Sequence, residues 1–150
     1  MMEGLPATEA KIQYLVRVPA KQRTKISDSK TAFNVLKQYY PEESRWQEIA
    51  HVLYLDRANK VIWVSKLSEG GLTGTIMDPK VIFMKALKCL AHGIIVCHNH
   101  PSGNVKPSEA DIQLTHKLID AGKFLDMAVL DHIIIGEGDN YYSMADSGDI

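Results

Sequence analysis

The chain has 150 residues, of which 45% are hydrophobic, and its formal net charge is −1. This length and composition predict one compact domain with a full-sized core. The near-neutral charge gives no support for sequence-independent binding to nucleic acid, which needs a clustered basic surface. Cys89 and Cys97 both lie in apolar segments, so we expect reduced core thiols and a cytoplasmic protein. The first residues do not resemble a signal peptide, and the apolar runs are too short to span a bilayer.

The first predicted elements are a strand and a helix, separated by a basic stretch. Residues 12–18 have the composition of a strand. Asp28 or Ser29 then suits the cap of a helix that Pro41 stops. The apolar positions of this helix fit one buried face: Ala32, Phe33, Val35, Leu36, Tyr39 and Tyr40.

A β-hairpin is predicted next. Residues 48–55 and 61–67 read as two strands, and the polar residues 56–60 form a turn of a length that hairpins commonly use. The glycine-rich segment that follows, residues 70–74, is conformationally permissive. It is either a bulged strand or a loop near a functional site.

The second half of the chain alternates helices with strands. Asp78 and Pro79 mark the start of a helix that runs to residue 92 and is apolar over more than half its circumference, so we expect it to be deeply buried. The β-branched run at 93–97 predicts an interior strand. A helix over 108–121 ends at Gly122, and three strands follow, over 125–129, 131–135 and 141–144. Because the elements lack a regular βαβ rhythm, we predict an α/β fold with a mixed central sheet flanked by helices.

The segment after the 93–97 strand carries the candidate site. Side chains two residues apart in extended backbone point the same way, so His98 and His100 can aim at one point. The loop after them contains glycine and proline and can bring Asp111 back to that point. Two imidazoles and a carboxylate suit zinc and leave a fourth position open for water, which favours a catalytic site over a structural one. The alternative is a polar loop in which Ser108, three residues before Asp111, only caps the next helix.

These residues resemble the motif of a known family. The spacing His98-x-His100-x7-Ser108-x-x-Asp111 resembles the metal-binding motif of the JAMM (MPN-type) zinc metalloproteases. The wider sequence is similar to the bacterial RadC family over roughly residues 46–148. Four separated segments carry this resemblance in the same order: His-Asn-His-Pro-Ser-Gly at 98–103, Pro-Ser at 107–108, Ala-Gly-Lys at 121–123 and Leu-Asp-His-Ile-Ile-Ile at 130–135.

The resemblance implies a fold and a domain organisation. Residues 41–150 would form an MPN-type domain of cytidine-deaminase-like architecture. Residues 1–40 would be an N-terminal extension packed on that domain. Members of the family commonly carry an N-terminal helix-hairpin-helix module that binds DNA, and we expect none here, because the residues before the matching region lack its pattern.

The resemblance also implies a chemistry. It predicts a zinc-dependent peptidase or isopeptidase that acts on a peptide or protein, with one zinc ion per chain held by His98, His100 and Asp111. Ser108 would help to hold the oxyanion of the tetrahedral intermediate. A glutamate would act as general base; the family position at the start of an earlier strand indicates Glu48, and Glu69 is the alternative.

Two other hypotheses compete with hydrolysis. The family's link with DNA repair suggests a DNA-associated protein, although the near-neutral charge does not support nucleic acid as a partner. The second is a catalytically silent interaction module that zinc stabilises. No membrane partner is expected.

The remaining histidines receive structural interpretations. His51 is expected on the surface of the sheet. Asp131 and His132 are predicted to form a buried, hydrogen-bonded pair that supports their strand. Support of the zinc ligands by this pair is the alternative.

Overall fold

A five-stranded mixed β-sheet runs through the protein, and helices cover both of its faces. The computed structural model describes residues 18–42, 46–70 and 77–150. Its strands are β1 (Ile49–Leu55), β2 (Val61–Glu69), β3 (Gly93–Asn99), β4 (Ala128–Ile135) and β5 (Tyr141–Ser143). Its helices are α1 (Ser29–Lys37), α2 (Pro79–Lys88), α3 (Glu109–Phe124) and α4 (Met144–Ser147), preceded by a 3-10 turn at Ala20–Gln22. The predicted α/β fold with a mixed central sheet is confirmed.

The strand order brings three chain segments to one end of the sheet. The order is β2-β1-β3-β4-β5. β1 is antiparallel to both β2 and β3, whereas β3 and β4 are parallel and are joined by α3. A parallel connection needs such a crossover, because the chain must return to the starting end of the sheet. The start of β1 and the ends of β3 and β4 therefore meet at the same end.

Two apolar clusters, one on each face, hold the helices to the sheet. On one face Val52 and Val96 pack in a cluster with Ile82 from α2 and Leu118 from α3. On the other face α1 packs against a second cluster that includes Leu53 and Cys97 from the sheet. Every residue of β1 and of β3 is buried, as expected for central strands that are covered on both faces.

Helix α1 lies within the predicted N-terminal extension and packs on the sheet. It begins after Asp28, whose carboxylate accepts a hydrogen bond from the Thr31 N–H at 2.7 Å. Three of its side chains are fully buried: Ala32, Phe33 and Leu36. Tyr39, which is predicted on the same buried face, is 44% exposed, because the helix ends at Lys37 and the chain turns before Tyr39.

Helix α2 is shorter and more exposed than predicted. It ends at Lys88, and its buried residues, Ile82, Phe83 and Ala86, lie on one side. Three other apolar residues of the predicted helix are largely exposed, at 46% for Met84, 53% for Leu87 and 58% for Leu90. The helix packs on one face of the sheet, so its far side meets solvent.

A single strand, β4, replaces the two strands predicted over 125–129 and 131–135. Its pairing with β3 skips Leu130, so that the neighbouring residues Val129 and Asp131 face consecutive residues of β3. A β-bulge of this kind accommodates one extra residue without ending the strand. The break in the sequence pattern at Leu130 therefore marks a bulge.

Some predictions concern residues that the structure does not describe. The strand predicted over residues 12–18 lies outside the described ranges apart from Val18, and of the glycine-rich segment only Gly70 is described. Within those ranges, no helix is both long and apolar enough to cross a membrane.

Helix α3 continues past Gly122, where the sequence predicts its end. A Cβ atom at Gly122 would lie 2.4 Å from the Met127 carbonyl oxygen, and the Met127 N–H donates to the Gly122 carbonyl at 2.8 Å. The glycine thus permits the close approach of α3 to the segment that leads into β4.

We therefore expect Gly122→Ala to destabilise the protein, although alanine is normally the better helix former by about 1 kcal/mol. The overlap with backbone atoms should lower the free energy of unfolding by about 1–3 kcal/mol, measured by urea denaturation. Gln113→Ala, at an exposed position of the same helix, is the control and should have little effect. An increase in stability for Gly122→Ala would contradict the packing role.

Candidate metal centre

The end of β3 places two histidine rings side by side. His98 is the second-last residue of β3 and is fully buried. His100 follows just beyond the strand, on the same face. The His100 N–H donates to the Ile135 carbonyl at 3.0 Å, which ties the start of the loop to the end of β4. The two Nε2 atoms consequently lie 2.9 Å apart.

Asp111 reaches the same point from the first turn of α3. Ser108 is the N-cap of this helix, and its Oγ accepts a hydrogen bond from the Asp111 N–H at 3.1 Å. The Ser108 N–H and hydroxyl both donate to Asp111 Oδ2, each at 2.7 Å. This capping box fixes the carboxylate and leaves Oδ1 3.3 Å from the Nε2 atom of His98. Capping by Ser108 and convergence of Asp111 on the histidines therefore occur together.

The donor atoms of His98, His100 and Asp111 lie at separations that suit a small metal ion. The distances are 2.9 Å between the two Nε2 atoms, 3.3 Å from His98 Nε2 to Asp111 Oδ1 and 3.6 Å from His100 Nε2 to Asp111 Oδ2. Tetrahedral zinc, with bonds of about 2.0–2.2 Å, separates its ligand atoms by about 3.3–3.6 Å. Both the spacing and the donor types fit, so this group could hold a metal ion.

A loop carbonyl orients the His100 ring. Its Nδ1 lies 2.6 Å from the Asn104 carbonyl oxygen, and because a carbonyl can only accept, Nδ1 carries the proton. In the neutral ring, Nε2 then directs a lone pair toward the cluster, as a metal ligand must. The loop closes through a 2.9 Å hydrogen bond from the Gly103 N–H to the His100 carbonyl. Gly103 has a φ angle of 78°, in the left-handed region that favours glycine.

The cluster shifts the pKa values of its members in opposite directions. Burial, followed by the neighbouring His132, lowers the pKa of His98 to about 3. The Asp111 carboxylate raises the pKa of His100 above its ordinary value. Burial alone would raise the pKa of Asp111, but the nearby His100, His98 and Ser108 outweigh burial and hold it well below its usual range. A proton on His100 thus partly balances the carboxylate in the metal-free protein, at the place where a cation would otherwise do so.

The strand register brings Glu48 to the cluster. Ala50 of β1 pairs with His98 of β3. Continuing this register by two residues puts Glu48 opposite His100 and on the same face. The Glu48 Oε1 atom lies 3.8 Å from His98 Nε2. Glu69, the alternative general base, forms an ion pair within β2 instead; of the two glutamates, the structure brings Glu48 beside the histidines.

Two further residues lie behind His98. His132 Nε2 is 2.8 Å from His98 Nδ1, and His132 Nδ1 is 2.6 Å from the Thr115 hydroxyl. Asp131 and His132 are both buried, and the Asp131 carboxylate accepts a hydrogen bond from the His132 backbone N–H at 2.7 Å, so the predicted buried, hydrogen-bonded pair is confirmed. The same carboxylate also accepts from the Ser143 hydroxyl of β5. The sequence motifs do not indicate a functional role for Thr115. The signal that identifies it is its position four residues after Asp111, on the same face of α3.

His51 is buried, and its predicted place on the sheet surface is wrong. Its ring lies 5.6 Å from that of Tyr39 and 4.8 Å from that of Tyr40, measured between centroids. Burial lowers the pKa of His51 to about 4, and its Nδ1 has no hydrogen-bond partner within the part of the chain that the structure describes. The reason is topological: β1 is a central strand, and residues after α1 cover the face that would otherwise be open.

Most of the chain is similar in sequence to known proteins. A family model described as the RadC-like JAB domain matches residues 26–149. The UPF0758 protein of Flavobacterium johnsoniae is 46% identical over 127 residues, which cover 83% of this chain and 53% of that protein. The UPF0758 protein of Porphyromonas gingivalis is 40% identical over 138 residues, covering 88% and 59%. The UPF0758 protein of Methanosarcina mazei is 38% identical over 126 residues, covering 84% and 54%. The chain thus spans about half the length of the curated relatives it matches.

We expect the protein to take up about one zinc ion per chain and His98→Ala to abolish this stoichiometric uptake, because two ligands remain. His116→Ala is the matched control, since His116 lies exposed on α3, and it should bind zinc as the wild type does. Metal content after dialysis, measured by mass spectrometry, checks both. Stoichiometric zinc in His98→Ala would exclude this ligand set.

Zinc affinity should also depend on pH in a specified direction. Zinc needs the unprotonated imidazole, and Asp111 raises the pKa of His100 above the ordinary value of 6.5. Affinity is therefore expected to fall as the pH drops through a value above 6.5, and Asp111→Asn should move that midpoint lower as well as weakening binding. Competition with a chromophoric chelator across the neutral range measures the midpoint. A wild-type midpoint below that of free histidine would contradict the electrostatic argument.

Proposed function

This chain belongs to the RadC-like JAB domain family, and from that membership and the geometry of the cluster we propose that it is a zinc-dependent hydrolase of peptide or isopeptide bonds. The observation that carries the proposal is the convergence of His98, His100 and Asp111 with a glutamate, Glu48, beside them. Three protein ligands leave a coordination position open, the arrangement of catalytic rather than structural zinc sites.

Two of the proposed ligands are oriented toward the cluster by hydrogen bonds with neighbouring residues. The Asn104 carbonyl holds the proton of His100 on Nδ1, and the Ser108 cap holds the Asp111 carboxylate toward the histidines. The chemistry that zinc supplies when bound is Lewis-acid activation of a carbonyl group and of water. The remaining roles fall to side chains of this chain.

Glu48 is proposed as the general base. Its carboxylate is partly exposed, with 22% of the side chain accessible, and its Oε1 lies 3.8 Å from His98 Nε2. A partly exposed carboxylate beside the ligand atoms can accept a proton from the attacking water and pass it to the leaving amine. The register between β1 and β3 holds Glu48 in this place.

Ser108 is proposed to donate a hydrogen bond to the developing oxyanion. Its hydroxyl has a single proton, which Asp111 Oδ2 accepts here. The Ser108 N–H donates to the same oxygen. The hydroxyl can therefore turn to the substrate while the backbone N–H keeps the carboxylate in place, so capping and oxyanion stabilisation are compatible.

A cavity beside the cluster offers a place for a substrate side chain. Its volume is about 280 Å³. The lining includes His100 and the loop of residues 101–103, together with Tyr40 and Ile135. Because His100 belongs to both the cavity and the cluster, a peptide residue bound in the cavity lies next to the proposed scissile bond. We propose an extended peptide or protein segment as the substrate.

Glu48→Gln should retain zinc and lower hydrolysis by about 10²–10⁴-fold, the usual effect of removing a general base. Glu69→Gln is the control and should hydrolyse at the wild-type rate. A panel of quenched fluorogenic peptides and isopeptide-linked substrates, assayed with zinc-loaded protein, gives the rates.

Other outcomes of that assay separate the competing functions. If zinc-loaded wild type hydrolyses nothing in the panel while chelation lowers its melting temperature, a zinc-stabilised interaction module replaces the hydrolase. If duplex DNA instead binds with an affinity that falls steeply with salt, as phosphate contacts require, a DNA-associated role replaces it.

Ser108→Ala should affect both activity and stability, by different amounts. Loss of the N-cap is expected to lower the free energy of unfolding by about 0.5–2 kcal/mol, and loss of an oxyanion donor to lower kcat by about 10²–10³-fold. Ser108→Thr keeps the hydroxyl and should restore most of both. Thermal melts and kcat on the best substrate of the panel check them; full kcat in a destabilised Ser108→Ala would leave Ser108 as a cap alone.

A further inference from the structure

A buried series of hydrogen bonds runs from one proposed metal ligand to another through two residues that touch no solvent. His98 Nδ1 lies 2.8 Å from His132 Nε2, and His132 Nδ1 lies 2.6 Å from Thr115 Oγ1. The Thr115 hydroxyl in turn lies 2.6 Å from the backbone carbonyl oxygen of Asp111. His98, His132 and Thr115 are each 0% exposed.

The positions of the protons in this series follow from counting donors. The Asp111 carbonyl can only accept, so it takes the one proton of the Thr115 hydroxyl. Thr115 must then accept from His132, which places a proton on His132 Nδ1. A neutral His132 consequently presents the lone pair of Nε2 to His98.

The last link sets the tautomer of His98. Only one proton fits between His132 Nε2 and His98 Nδ1, and it has to come from His98. The lone pair of His98 is then on Nε2, the atom that faces His100 and Asp111. In the metal-free protein this lone pair accepts from the Nε2–H of a protonated His100 across 2.9 Å. A cationic His132 would reverse this assignment, but complete burial without a carboxylate among its hydrogen-bond partners disfavours that charge.

We propose that Thr115 and His132 are positioning residues for the metal, a relay that holds His98 in the tautomer with a free Nε2. The relay rests on the metal-binding part of the proposed function and is independent of hydrolysis. It begins at the Asp111 backbone and ends at His98, so the helix and the strand that supply these ligands are joined by the same hydrogen bonds. Because all three side chains are fully buried, bulk water does not reach the series.

Removal of the Thr115 hydroxyl should reverse the direction of the hydrogen bond between His132 and His98. In Thr115→Val, a side chain of nearly the same shape, His132 Nδ1 faces a methyl group and loses its acceptor. The neutral His132 ring then gains by carrying its proton on Nε2 and donating to His98 Nδ1. His98 is left with its proton on Nε2, the atom that has to bind the metal.

The test uses the full chain and two readouts that do not involve hydrolysis. Long-range proton–nitrogen correlation NMR on the zinc-free protein reports which nitrogen of each ring is protonated. The pH is chosen so that His100 carries both ring protons, because its Nε2–H, and not a second lone pair, then faces His98 Nε2. The expected pattern is Nδ1–H for both His98 and His132 in the wild type and in Thr115→Ser, and Nε2–H for both in Thr115→Val. Zinc affinity from chelator competition is expected to fall by about 10- to 100-fold in Thr115→Val and to recover in Thr115→Ser.

Several results would overturn the relay. One is a wild-type His98 protonated on Nε2, a measurement that needs no variant and so stays decisive even if Thr115→Val does not fold. Another is a folded Thr115→Val with the wild-type tautomers or with zinc affinity within about twofold of wild type, against the loss expected for such outer contacts. Failure of hydrolysis alone, with the tautomers and the zinc affinities as expected, would remove the proposed activity and leave the relay standing.

Discussion

The pairing of β3 with an antiparallel strand on one side and a parallel strand on the other is the constraint on which the whole centre depends. Because β1 runs against β3, the start of β1 lies beside the end of β3, and Glu48 comes to His100. Because β4 runs with β3, its side chains reach the same end, and His132 comes to His98. The parallel pairing also requires a crossover helix. That helix, α3, begins at this end and carries Asp111 in its first turn.

Local hydrogen bonds then convert this placement into fixed geometry, and they serve stability and function together. The Ser108 capping box satisfies backbone donors at the start of α3, as caps do in any helix, and it also aims the Asp111 carboxylate. The Asn104 carbonyl shapes a tight loop and also sets the tautomer of His100. Burial lowers the pKa of His98, which keeps that ring neutral. Lone pairs and a carboxylate therefore face one small volume, a configuration that a cation stabilises.

The sequence predicts the parts of this centre that lie close together along the chain. His98 and His100 share a face because they are two apart in an extended segment, and the Ser108-to-Asp111 spacing is that of a capping box; both rules are local. The sequence offers support of the zinc ligands by His132 only as an alternative and does not indicate Thr115, because their contacts depend on which strand lies beside β3. Hydrophobic patterns do not state strand order. The prediction for His51 is wrong for the same reason. A polar residue can occur in a strand that is covered on one face or in a strand that is covered on both. Whether it is buried depends on how the neighbouring elements pack. The bulge at Leu130 likewise interrupts a pattern without interrupting the strand.

All residues of the proposed centre lie within the segment that matches the family, residues 26–149. Their orienting hydrogen bonds also come from this segment, from Ser108 and Asn104 in the loop and from Thr115 and His132 behind it. The ligand geometry is therefore set within about half the length of the longer relatives. Within the described residues, the bonds that orient the buried side of the cluster all come from this segment. The open side of the cluster lies beside Glu48 and next to the cavity that His100 lines, and those are the places where a substrate would approach.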